Sequence, residues 1–289
     1  MQLRNLIQSR TFLVFGVLVS VLVPVLTLPR LPHVSPLPVL VGVVPWIVGK
    51  YVLCPLRWRV LTTAPQSRWW HLRANAEGEL LGIVTPGHVG ADVWRVHRLT
   101  RAGLGRGDAV VSVGSDRMVG ALGLMAFVAL AGTALPMRLA LASGAVTLLA
   151  VAVAVVVRRL RPDLLPRRPL PPPRELAHAF VLALGYQLSI AALLMGTLDA
   201  TGHDLGPLAV LGAFGASQVA GAVPGPNGAS PRDGALVAAL MGLGVPWPAA
   251  LAAVTVKAAV AWVPALALGG VSLLVTRRAL RRASLVLPG

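Results

Sequence analysis

Charged residues are scarce in this chain, at 12% of 289 positions. That scarcity excludes an ordinary soluble domain, in which about a quarter of residues carry charge. Cysteine is scarcer still: the single Cys54 rules out an intramolecular disulfide and any cysteine-based metal cluster. Only 10 residues are acidic, and lysine occurs only as Lys50 and Lys257, an arginine bias that fits a GC-rich genome. No H-E-x-x-H, P-loop, G-x-S-x-G or DxD-like metal motif is present. Gly103-Leu104-Gly105-Arg106-Gly107 lacks both the spacing and the preceding strand of a nucleotide loop. The chemistry is therefore expected to involve no cofactor, and the sequence points away from an enzyme.

What the chain has instead is apolar length. Apolar residues make up 56% of it and mean hydropathy is +0.76. Crossing a bilayer takes roughly 20 apolar residues in a helix. Six runs meet or approach that need, at about 11–28, 37–56, 109–132, 139–157, 176–198 and 248–272. The fold class is all-α, a polytopic membrane helical bundle. The net charge of +16 would suggest nucleic acid in a soluble protein. Here the basic residues sit between apolar runs, where they read as topology signals facing an anionic leaflet. The expected partner is the membrane, with no nucleic acid. Arg4 and Arg10 before run 11–28 resemble a signal peptide. However, Pro29-Arg30-Leu31-Pro32 follows in place of a cleavage site, so the first run reads as an uncleaved span.

Two segments are apolar in part but broken. Trp69 to Thr100 is interrupted by Thr85-Pro86-Gly87-His88-Val89-Gly90, and Leu205 to Gly244 by Val223-Pro224-Gly225-Pro226-Asn227-Gly228. Proline and glycine stop helices and permit sharp turns. Each segment therefore reads as two short helices meeting at a break, in a re-entrant hairpin. With six spans and a cytoplasmic N-terminus, 20 of the 26 basic residues fall on the cytoplasmic side, including Arg57, Arg73 and Arg95. Arg30 and Arg138 fall outside. The asymmetry favours both termini in the cytoplasm of a cell membrane. Segment 205–223 is also long enough to cross, which would make eight spans.

An internal repeat follows. Pro86-Gly87-x-x-Gly90 recurs as Pro224-Gly225-x-x-Gly228, 138 residues later, and run 37–56 shifted by that offset falls on the run at 176–198. The chain reads as one membrane domain over 1–289 with pseudo-repeats of about 11–135 and 138–272. A Pro/Arg-rich cytoplasmic loop, 158–175, lies within the second. Opposed re-entrant hairpins in an inverted repeat are a transporter plan, with substrate handled near the midplane.

Ionisable groups in apolar surroundings carry the functional signal, since each costs roughly 2.5–3.5 kcal/mol at a helix centre on insertion scales. Asp92 and Arg95 follow the first break, Asp116 and Arg117 interrupt one run, Arg232 and Asp233 follow the second break, and Lys257 interrupts the last run. Beside helix termini these seven suit a phosphate head group, with arginine as a fork and lysine as a point charge. The same residues would also serve as internal ion pairs. Asp116 and Arg117 point about 100° apart on a helix, so each should pair with a different segment. Glu77 and Glu79 fall on opposite faces and make a poor acid–base pair. His88 is a weaker candidate, and Trp69, Trp70, Trp94 and Trp247 read as interface anchors.

The ordered motifs resemble a known family. Arg57-Trp58-Arg59-Val60-Leu61, Thr85-Pro86-Gly87-x-x-Gly90-Ala91-Asp92-Val93-x-Arg95 and Ser115-Asp116-Arg117-Met118-Val119-Gly120 are similar to the first half of the lysylphosphatidylglycerol synthase transmembrane region. That group is also called the flippase-like integral membrane family. Its second half resembles Pro224-x-Pro226-Asn227-Gly228-x-Ser230-x-x-Asp233, Gly244-Val245 and Lys257-x-x-x-x-Trp262-x-Pro264. The usual Gly-Gly-x-Gly-x-x-Glu becomes Asn227-Gly228-x-Ser230-x-x-Asp233, and an arginine becomes Lys257, so charge is kept while reach changes. The aminoacyl-transfer domain of full synthases is absent from this sequence. The resemblance implies translocation of an anionic phospholipid or polyprenyl-phosphate-linked head group, and gives no support for lysyl transfer. Rival readings are a membrane-embedded lipid-modifying enzyme and a non-transporting subunit working with a cell-envelope synthase.

Overall fold

The structure, a computed structural model, describes residues 34–83, 89–131, 171–220 and 230–276, with isolated positions 85, 152, 156 and 159. Eight helices make up the described chain: α1 (Pro36–Leu61), α2 (Arg68–Ile83), α3 (Val89–Arg101), α4 (Arg106–Ala131), α5 (Pro173–Asp199), α6 (Pro207–Ala220), α7 (Pro231–Gly242) and α8 (Trp247–Thr276). Four of the expected runs appear as helices long and apolar enough to cross a membrane: α1, the Arg106–Phe127 part of α4, α5 and α8. Both broken segments are pairs of short helices, α2–α3 and α6–α7. Run 11–28, most of 139–157, the turn residues Pro86, Gly87, His88, Pro224, Gly225, Pro226, Asn227 and Gly228, and the arginine-rich tail lie outside the described residues.

The order long helix, short pair, long helix occurs twice. Corresponding first residues (Pro36 and Pro173, Arg68 and Pro207, Val89 and Pro231, Arg106 and Trp247) stand 137 to 142 residues apart. Both short pairs also stop in the same way. Gly103 (φ 94°) and Gly244 (φ 90°) adopt the left-handed conformation. The following N–H groups of Leu104 and Val245 reach back 3.1 Å to the carbonyls of Leu99 and Leu240. Glycine is needed there because a Cβ would clash at positive φ.

Two of the long helices are locally underwound. π turns occupy Gly49–Leu53 in α1 and Ala265–Gly269 in α8. Pro55 and Pro264 flank them, and a proline supplies no N–H to the carbonyl four residues back. α1 then crosses α5 at very short range. A Cβ on Gly42 would lie 2.6 Å from the Ala192 carbonyl, and Cβ atoms on Gly196 or Gly49 would strike Pro38 or Ser189. With lipid as the competing solvent, such close backbone packing supplies association that apolar burial cannot.

Each short pair has its own packed core. Trp58, Ala74, Leu99, Ala109 and Val113 form one beside α2–α3. A larger one, including Phe127, Leu194, Val210, Phe214, Leu236, Leu240 and Val254, surrounds α6–α7. Leu37, Val41, Val44, Val181, Leu188, Val263, Val271 and Leu274 point outward and exposed. That apolar belt would be an aggregation hazard in water and is the expected face toward lipid.

The structure corrects the sequence reading in three places. The run expected over 37–56 does not stop at residue 56: α1 continues to Leu61, and Arg57 is only 6% exposed within it. Arg57 and Arg95, both counted as cytoplasmic charges, are buried because both reach Asp116. Of the tryptophans read as interface anchors, Trp69 and Trp247 are exposed, whereas Trp94 donates to the buried carboxylate of Glu77 and Trp70 packs on Trp58.

Candidate functional site

The second short pair begins on a capping box. Ser230 Oγ accepts from the Asp233 N–H at 3.2 Å, and Asp233 Oδ2 accepts from the Ser230 N–H at 3.3 Å. The N-cap fixes α7 so that Arg232, one residue earlier, points into a cavity while Asp233 stays buried. Lys257 of α8 reaches Asp233 Oδ1 with Nζ at 3.4 Å.

That cavity is about 100 Å³. Its walls are Trp46, Lys50 and Tyr51 from α1, Glu79 and Ile83 from α2, Tyr186, Ile190 and Leu193 from α5, and Phe214 from α6. Arg232 from α7, with Lys257, Ala258, Ala261 and Ala265 from α8, completes it. Lys50 Nζ lies 2.9 Å from Glu79 Oε2 and 5.7 Å from the centre of the Tyr186 ring. The π turn of α1 carries Lys50 and Tyr51, and that of α8 carries Ala265, so both irregular turns face this space. Both lysines and both tyrosines of the chain meet here.

Of the seven charged residues singled out in the sequence, Arg232 and Lys257 line the cavity and Asp233 supports Lys257. The other four form two separate groups. Asp116, fully buried, accepts from Arg57 Nε at 2.7 Å and from Arg95 Nη1 at 3.0 Å. Arg95 also donates to Asn75 Oδ1, and its guanidinium lies 5.2 Å over Trp58. Through Arg95, 4.0 Å from Glu79, this group touches the cavity wall. Arg117 instead pairs with Asp92 at 3.0 Å, both partly exposed, and does not line the cavity with Lys257. The 100° step between Asp116 and Arg117 does send them to different partners. Gly90, the one described glycine of the first break, holds α3 against Thr85, whose Oγ1 accepts its N–H at 2.9 Å.

Sequence reasoning did not select Lys50, Tyr51, Glu79 or Tyr186. One signal was available: a chain that writes its surface cations as arginine keeps both lysines inside apolar runs. Glu79 was set aside with Glu77. The two do diverge, Glu79 to the cavity and Glu77 to a buried cluster of Arg98, Trp94, Ser272 and Thr276. Among the described residues no three His, Cys, Asp or Glu side chains converge to hold a metal ion.

A third polar element stands apart. His71 is buried between the rings of Trp58 and Trp70, 4.9 Å from each, with Nδ1 3.0 Å from the Ser67 carbonyl. Burial holds its imidazole below the usual histidine value, and the Ser67 carbonyl only partly offsets this. The fold takes up a proton on His71 less readily than the unfolded chain does below about pH 6.5, so stability falls as pH drops through that value. Unfolding in detergent followed from pH 8 to pH 5 should show the slope, and His71→Phe should flatten it. An unchanged slope in that variant would remove His71 as its source.

The helices and the cavity define a polytopic helical membrane protein with paired short helices around a cationic, aromatic-walled pocket. Residues 11–269 match the model of the lysylphosphatidylglycerol synthase TM region, and the chain belongs to that family. No curated protein and no solved structure matches it.

Proposed function

We propose that this chain binds an anionic phospholipid or a lipid-linked phosphate head group in the cavity between its two short helix pairs, and carries it across the membrane. The observation that supports the reading is the convergence of Lys50, Arg232 and Lys257 on one space walled by otherwise apolar helices. Charges kept at that depth need partners or a wet cavity. Arg232 lines the cavity one residue from the capped Asp233, which places its guanidinium where a ligand would meet it. Arginine would grip phosphate oxygens as a fork, and the lysines would neutralise it as point charges.

The recurring element order fits an inverted repeat, in which α2–α3 and α6–α7 enter from opposite leaflets and the cavity lies between them. In this reading both termini are cytoplasmic and the membrane is the cell membrane. An envelope-synthesis enzyme would supply or consume the lipid. Head-group exchange between leaflets would proceed by relative movement of the two halves, with direction set by a gradient or by that partner enzyme.

Reconstitution into vesicles containing fluorescent phosphatidylglycerol tests this. Wild-type protein should accelerate loss of the probe from one leaflet, and Arg232→Gln or Lys257→Gln should slow it roughly 10-fold or more. That is the effect of about 1.5–3 kcal/mol lost with one charge-assisted contact. Unaltered rates in both variants would sink the site. Covalent change of the lipid without movement would favour the enzyme reading.

A further inference from the structure

Among the described residues, the charges around the cavity do not cancel. Lys50 pairs with Glu79 at 2.9 Å, Glu79 stands 4.0 Å from Arg95, and Arg95 shares Asp116 with Arg57. Lys257 holds Asp233, and Arg232 adds a further cation. Among the described residues, five cations, Lys50, Arg57, Arg95, Arg232 and Lys257, stand against three carboxylates, Glu79, Asp116 and Asp233, a surplus of two positive charges. Other carboxylates are engaged elsewhere, Glu77 by Arg98 and Asp92 by Arg117. A buried surplus of this kind is costly until an anion neutralises it.

A phosphodiester brings one negative charge. A phosphate monoester brings about −1.5 to −2 at pH 7 and three strong acceptor oxygens. The cavity presents three cations and has about 100 Å³ of space, the room of a few water molecules and hence of a bare phosphoryl group. We infer that the cavity recognises a terminal phosphate monoester, as carried by phosphatidic acid or a polyprenyl monophosphate, in preference to a phosphodiester head group. The inference rests on the anionic-lipid reading above and narrows it.

Calorimetric titration of the full chain in a neutral detergent tests it, using dioctanoyl phosphatidic acid, dioctanoyl phosphatidylglycerol and inorganic phosphate as separate probes. At pH 8 phosphatidic acid should bind at least 10-fold more tightly than phosphatidylglycerol. The ratio should shrink toward one by pH 5, as the monoester dianion takes up one proton near pH 6 and becomes a monoanion. Phosphatidylglycerol has no such proton, so it corrects for titration of Glu79, Asp233 and the other protein groups facing the cavity. Arg232→Gln breaks no ion pair among the described residues and should remove most of the preference, with Arg232→Lys restoring part of it. Displacement of phosphatidic acid by millimolar inorganic phosphate would support recognition of the phosphoryl group from either source. Lack of displacement would support recognition of the lipid-borne monoester alone. Equal affinities for the two lipids at pH 8, or a preference that survives Arg232→Gln, would overturn the inference and leave the anionic-lipid reading standing. No binding of either lipid would overturn both.

Discussion

Replacing Asp116 with alanine is expected to destabilise the protein by about 3–5 kcal/mol, the range found when one member of a buried charge cluster is removed. Its carboxylate is fully buried and is shared by two guanidinium groups at 2.7 and 3.0 Å. Neither arginine can retreat to water easily: Arg57 is 6% and Arg95 4% exposed. Gly120 leaves the space that Arg57 fills, since a Cβ there would stand 3.0 Å from its Nη1. Asp116→Asn should lose most of the same free energy, because shape is kept and only charge is lost. Adding Arg57→Leu to Asp116→Ala should recover part of the loss, since one orphaned cation then disappears. Denaturant or thermal unfolding in detergent checks all three variants. A loss below about 1 kcal/mol for the alanine variant would show that the cluster does not bear on stability.

The second large effect concerns Glu77, buried at the crossing of α2, α3 and α8. Its oxygens accept from three donors, Trp94 Nε1 at 3.0 Å, Ser272 Oγ at 2.9 Å and Thr276 Oγ1 at 2.7 Å, and pair with the Arg98 guanidinium at 3.3 Å. Arg73 ties in from the same helix, donating to Thr276 at 2.8 Å. Glu77→Ala should cost about 3 kcal/mol, less than the upper range for Asp116, because Arg98 is more accessible and can turn toward water. The damage should be local. Amide hydrogen exchange ought to accelerate in the last turns of α8, residues 270–276, while α5 keeps its protection. Uniform acceleration throughout the chain would contradict a role confined to this crossing.

The long helices were legible because about 20 consecutive apolar residues permit little else. Proline and glycine then marked both breaks, and the short pairs appeared on either side of them. What could not be read was which charged residues share a space. Seven were grouped by nearness to the breaks, but rotation about each helix decides where a side chain points. Asp116 and Arg117 are adjacent in sequence, yet Asp116 is buried between Arg57 and Arg95 while Arg117 turns to the partly exposed Asp92. Lys50 and Tyr51 reach the cavity through a π turn, and one extra residue in a turn shifts the facing of everything beyond it. Pro55 hinted at a disturbance, but not at its form. Arg57 was taken for a cytoplasmic topology signal because composition cannot distinguish a solvated cation from one neutralised 59 residues away by Asp116.

The confinement of both lysines to the cavity has a practical consequence. Apart from the N-terminal amine, they are the only primary amines the chain possesses. A small acylating reagent therefore has few targets, and its rate of attack on Lys50 and Lys257 becomes a clock for how often that space opens. Applied from one side of a sealed vesicle and then the other, such a reagent would time access from each leaflet separately without an engineered label.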